Sequence, residues 1–163
     1  MAGLTPSFGG MLAEAISVCL DDQSHASPTP MRVSGSVRRS AILEWKDATK
    51  QARRCYNDEQ VATEHAAYGV AFLLAQELLG LQVLDKSRKS TGFDYWMGPI
   101  GSDDPPFQQM QRLEVSGIRK GSTAAVDARV RKKLRQVLKH RSTLPAIVMV
   151  VEFGGPSTKV STR

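Results

Sequence analysis

The segment from Asn57 to Gly80 constrains this fold more than any other. Asn57-Asp58-Glu59-Gln60 reads as a helix start, with Asn57 or Asp58 as cap and acids in the first turn. Gly80 supplies the stop. Between them, Ala66, Ala67, Gly69, Val70, Ala71, Phe72, Leu73, Leu74 and Ala75 leave almost no polar side. A helix that is apolar nearly all round is buried on more than one side. This segment is therefore expected to be the central helix.

The rest of the chain supplies what would cover it. Leu81 to Asp85 reads as a strand, Lys86 to Ser90 as a basic turn, and Gly92 to Met97 as a second strand ended by Gly98-Pro99. An acidic loop over Ser102 to Pro106 leads to a third strand, Gln109 to Ile118, in which Leu113 and Val115 alternate with Arg112, Glu114 and Ser116. Gly121-Ser122 opens a helix to about His140, striped by Val126, Val130, Leu134, Val137 and Leu138. Ala146 to Phe153 is an unbroken Val/Ile-rich run, as an interior strand requires. A helix between two strands suits a parallel crossover. The expected fold class is α/β, a mixed central sheet with helices on both faces.

The chain has 163 residues, the size of one ordinary domain. The expected organisation is an N-terminal extension over 1–57, packed on an α/β core over 58–155, and a polar C-terminal tail over 156–163. Within the extension, residues 1–9 read as a loose end and Met11 to Leu20 as an amphipathic helix ending near Asp21-Asp22. Met31 to Gly35 fits a short strand, Val37 to Trp45 is ambiguous, and Lys46 to Cys55 is a polar, helix-compatible segment. The extension would suit docking to a protein partner.

Composition narrows the class. Hydrophobic residues make up 41% and charged residues 23%, which separates the chain from disordered ones. Cys19 and Cys55 have no ligand-like spacing, so neither a disulfide framework nor a zinc site is expected. No signal peptide is read, and the longest apolar stretch, Ala66 to Leu81, is interrupted by Gly69, Gln76 and Glu77. A cytoplasmic protein without membrane contact is expected. The net charge of +6 favours polyanions. Much of it is local, since Arg119 to Arg141 holds nine Lys or Arg against the single acid Asp127.

Asp94 and Glu114 are the residues with most chemical content. By alternation Asp94 shares a strand face with Trp96, and Glu114 shares one with Ser116. In suitable register the two carboxylates converge, and together they could hold a divalent metal through oxygen. The other reading is structural, with the acids paired to Arg112 or a lysine, or accepting backbone hydrogen bonds. Glu64, near the start of the central helix, either faces the same site or is a solvated first-turn acid. His65 suits capping or packing.

Helix, three strands, helix, strand, with Asp94 on the second strand and Glu114 on the third, resembles the restriction-endonuclease-like, or PD-(D/E)XK, nuclease superfamily. The resemblance spans about Asp58 to Phe153, with an N-terminal helical extension before it. It implies a metal-dependent phosphodiesterase acting on DNA or RNA with Mg²⁺ or Mn²⁺. Asp94 and Glu114 would be catalytic metal ligands, and Glu64 the helix glutamate that assists. The position two after Glu114 is Ser116, where the superfamily carries lysine. The nearest replacements in sequence are Lys86, Lys89 and Lys120, of which Lys89 is taken as the catalytic lysine. Otherwise the fold survives as a non-catalytic binding or scaffold subunit of a larger assembly.

Two basic segments suit phosphate contact. One is the loop holding Lys86, Arg88 and Lys89; the other is the helix holding Arg129, Arg131, Lys132, Lys133, Arg135 and Lys139. Lys86, Arg88, Arg131, Lys132 and Arg135 are the expected nucleic-acid contacts. A solvated turn and a solvated helix face are the plain alternatives. Tyr95 and Trp96 suit either base stacking or the core. Other classes lack their marks. There is no phosphate loop, no dinucleotide-binding glycine motif and no nucleophile elbow at Ser116, and His25, His65 and His140 have no metal-ligand spacing.

Overall fold

A computed structural model of the chain describes residues 1–139 and 142–163. His140 and Arg141, where the basic helix was expected to end, lie outside the described residues. The elements are α1 (Pro6–Asp22), β1 (Thr29–Gly35), β2 (Arg39–Leu43), α2 (Lys50–Cys55), α3 (Glu59–Leu79), β3 (Leu81–Lys86), β4 (Tyr95–Pro99), β5 (Gln111–Ile118), α4 (Thr123–Lys139), β6 (Ala146–Glu152) and β7 (Ser157–Thr162), with a 3-10 turn over Phe107–Gln109. The strands form one open sheet in the order β2-β1-β7-β6-β5-β4-β3. β5 and β6 are parallel, as are β1 and β7, and the other pairs are antiparallel. The fold is thus α/β with a mixed sheet.

α3 is the central helix that its composition demands. The Asp58 carboxylate accepts from the backbone N–H groups of Gln60 and Val61, and Gly80 ends the helix at φ 66°, where a side chain would be strained. α1 and α3 cover one sheet face, packing on Met31, Val83, Met97, Leu113 and Met149. α4 covers the other, with Val126, Val130 and Val137 on Ala146, Val148 and Val150. Both faces of β6 are therefore occupied, and all seven of its residues are buried. No helix among the described residues is long and apolar enough to cross a membrane.

Four expectations are corrected. Residues 157–162 are not a tail but strand β7, seated between β1 and β6. Only Thr158 and Val160 point into the core, so the segment reads as polar although its alternation is that of a strand. Residues 1–57 are not an extension lying on a separate core, because β1 and β2 complete the same sheet. The first residues are not loose either. Thr5 caps α1, Pro6 occupies its first turn, and the Gly3 N–H donates to Val83 O at 2.8 Å. Lastly, β4 begins at Tyr95 rather than Gly92, because the chain is still turning at Ser90 and Gly92, both with positive φ.

Asp21 and Asp22 end α1, where acids oppose the helix dipole. They are stabilised from outside. Asp21 accepts from Trp45 Nε1 and Ala48 N, each at 2.7 Å, and Asp22 pairs with Arg53 and Arg119. Both cysteines are free, Cys19 buried and Cys55 exposed.

Candidate functional site

β4 and β5 pair with Tyr95 opposite Leu113. Asp94, just before β4, stays tied to this ladder. Its N–H donates to Leu113 O, and its Oδ2 accepts from the Val115 N–H, both at 2.8 Å. That holds its carboxylate alongside Glu114. Glu114 faces α4, and only 1% of it is exposed. Its Oε1 accepts from Lys133 Nζ at 2.5 Å and from Gln136 Nε2 at 3.1 Å. Its Oε2 is buried and has no hydrogen-bond partner.

Burial, and then the Asp94 carboxylate beside it, push Glu114 from the ordinary 4.5 up to about 7, against the pull of Lys133. Asp94 is also raised, mainly by burial; the Val115 N–H and Lys133 oppose the shift. Two neighbouring carboxyls with raised pKa values beside an ammonium are the pattern of a site that exchanges a proton or takes a cation.

Asp94, Lys133 and Gln136 line a cleft of about 800 Å³ between the first half of α3, the C-terminal half of β5 and α4, while Glu114 is buried behind them and does not itself line it. Gly117 sets its width. A Cβ there would stand 2.5 Å from Thr63 O and 2.7 Å from Thr63 Cγ2, so only glycine lets β5 come this close to α3. Glu59, Thr63, Glu64 and Tyr68 form one wall, and Arg129, Lys132, Lys133 and Gln136 the other. The Ser116 Oγ accepts from Arg129 Nη1 at 2.8 Å. Ser116, two residues after Glu114, is thus bonded to an arginine, while the lysine that reaches Glu114 comes from α4.

The expected residues divide as follows. Asp94 and Glu114 come together. Glu64 lines the same cleft, where its Oε1 accepts from Tyr68 OH at 3.0 Å, but among the described residues no group of three acidic, histidine or cysteine side chains could jointly hold a metal ion. Lys89 and Arg88 are exposed in the β3–β4 connection, and neither lines the cleft; Lys86 stands over the Tyr95 ring at 5.9 Å. Lys120 is exposed beside Gly154. Lys132 is on the cleft wall, whereas Arg131 and Arg135 are exposed and off it. Tyr95 belongs to the core, edge-on to Phe72 and Tyr68, and Trp96 packs edge-on against Phe93. His65 packs edge-on against Tyr56.

The residues that sequence reasoning did not single out are Lys133 as the partner of Glu114, and Arg129 and Gln136 as wall residues. Their signal is spacing. Residues 129, 133 and 136 follow i, i+4, i+7 and share one helical stripe, next to the buried stripe of Val126, Val130 and Val137. No protein-family model matches the chain, and neither a curated protein nor a solved structure matches it.

Proposed function

We propose that this protein is a metal-dependent phosphodiesterase acting on nucleic acid, with Asp94 and Glu114 as its metal ligands and Lys133 as its lysine. The observation that carries the reading is the convergence of a half-buried Asp94 carboxyl on the cleft wall, a buried Glu114 carboxyl behind it, both with raised pKa values, and the Lys133 ammonium that joins Glu114 to the cleft. The donor set fits a hard divalent cation. Mg²⁺ needs only one or two carboxylates and keeps several waters, and Glu114 Oε2 is a buried oxygen without a partner. When bound, such a cation activates water and neutralises developing phosphoryl charge. Lys133 supplies a fixed positive charge beside the acids. Gln136 holds Glu114 Oε1 in place, and Arg129 and Lys132 offer cations to backbone phosphates along the wall. Glu64 faces the cleft from α3 and assists from that side.

A second reading is favoured by the same Lys133–Glu114 contact, which already neutralises the carboxylate inside the protein. On it, the chain is a non-catalytic binding or scaffold subunit that uses the basic wall without cleaving. Incubation with single- and double-stranded DNA and RNA in Mg²⁺ or Mn²⁺ separates the two. Cleavage that is lost in Asp94→Ala and Glu114→Ala supports the enzyme. Salt-sensitive binding without cleavage supports the scaffold.

A further inference from the structure

We propose that the outer edge of β2 is a self-association surface, on which a second copy of this chain docks strand to strand, antiparallel, about a two-fold axis at Ala41. The sheet has two edges, β2 and β3, and they are treated differently. The β3 edge is closed by the chain's own start. Gly3 N–H donates to Val83 O, Ala2 N–H donates to Gln82 Oε1 at 3.2 Å, and the ladder is irregular between Val83 and Asp85. Covering and irregularity are the usual protections of an edge strand. β2 has neither. It pairs regularly with β1 from Thr29↔Leu43 to Val33↔Arg39, and its other side meets no strand among the described residues.

Exposed apolar side chains lie on and beside this edge, among the polar Arg39 and Ser40. Ile42 is 66% exposed and Leu73, on α3, is 54% exposed. Between β2 and α3 runs a groove whose apolar lining (Ile16, Ala41, Leu43, Val70 and Leu74) is accompanied by Glu44, Gln76 and Glu77. A strand added to β2 would cover Ile42 and close the groove's open side.

Charge selects the occupant and the register. Arg38 and Glu44 flank β2, one at each end, and among the described residues neither is in an ion pair. In an antiparallel pair, opposite residues share a face. Centring the axis on Ala41 sets Arg38 of each copy opposite Glu44 of the other, and Ile42 opposite Ser40. Centring it on Ile42 instead sets Arg38 opposite Lys46. Centring it on Ser40 sets Arg38 opposite Ile42. Only the Ala41 register satisfies both charges twice, as a two-fold interface requires. None of Asp94, Glu114 or Lys133 takes part, so self-association and cleavage are separable.

Sedimentation equilibrium of the full chain tests this across micromolar to near-millimolar concentrations. The wild type is expected to dimerise. Arg38→Glu and Glu44→Arg should each weaken the dimer roughly tenfold or more, because each variant faces like charges twice across the axis. An equimolar mixture of the two should restore a dimer, because every pair is then opposite in sign. Ile42→Lys, at a side chain mostly in solvent, should also give monomers. Far-UV circular dichroism like the wild type's would show that the variants remain folded. A wild type that stays monomeric overturns the proposal, whether or not another protein's strand binds the edge. So does a dimer indifferent to all three substitutions, or a mixture that fails to re-associate.

Discussion

Lys133 on α4 sets its ammonium 2.5 Å from Oε1 of Glu114 on β5, joining the helix to the sheet face it covers. Glu114 is almost fully buried, and about a fifth of the Lys133 side chain (22%) is exposed. The contact therefore reaches from the interior to the cleft. It neutralises a carboxylate that would be costly to bury alone, and it leaves part of a cation facing the cleft.

Lys133→Met should destabilise the protein by about 3 kcal/mol above neutral pH, the usual cost of orphaning one partner of a buried pair. The cost should shrink in acid, because Glu114 is then protonated and no charge is stranded. Chemical denaturation of both proteins across pH checks this.

The raised carboxyls fix the sign of a pH dependence. Glu114 titrates at about 7 in the folded chain against 4.5 ordinarily, so between those values the folded state holds more protons than the unfolded one. Stability from this group is full below the ordinary value and falls as pH rises through about 7. Asp94, raised in the same sense, adds to the trend. Glu114→Gln should flatten it. Binding of Mg²⁺ or Mn²⁺ should strengthen over the same rise, since the cation displaces the proton. Calorimetric titration at several pH values checks the second effect.

Gly117→Ala should cost about 1–3 kcal/mol, the range for overpacking a close contact. The added methyl meets the Thr63 carbonyl at 2.5 Å, and backbone on both sides resists movement. A lowered thermal midpoint is the expected result.

Charge reversal separates the two sides of α4. Arg129→Glu with Lys132→Glu, on the cleft wall, should weaken nucleic-acid binding and lower the salt slope by about one for each phosphate no longer engaged. Arg131→Glu with Arg135→Glu, off the cleft, should change binding much less. Salt titrations of fluorescence anisotropy distinguish them.

Much of this was legible in the sequence, and the misses have physical causes. α3 declared itself through its caps and its apolar surface, and β6 through its unbroken Val/Ile run. Asp94 and Glu114 could be paired because strand alternation is strict. β7 was hidden because two inward residues, Thr158 and Val160, carry its whole pattern. β1 and β2 could not be assigned to the sheet without β7, the strand that joins β1 to the rest. Sequence proximity points to Lys89, but the lysine that pairs with Glu114 comes from α4, because only packing decides which of several basic residues on that helix turns inward.

Single-turnover cleavage of a labelled nucleic acid in Mg²⁺ or Mn²⁺ tests the central claim most directly, comparing wild type with Lys133→Met and Lys89→Met. Wild type and Lys89→Met should cleave alike, chelation should abolish both, and Lys133→Met should be slower by at least about a hundredfold, the scale for losing a charge that stabilises the transition state. Absence of cleavage by the wild type, or a Lys133→Met rate equal to it, would contradict the assignment of Asp94, Glu114 and Lys133 as a catalytic centre.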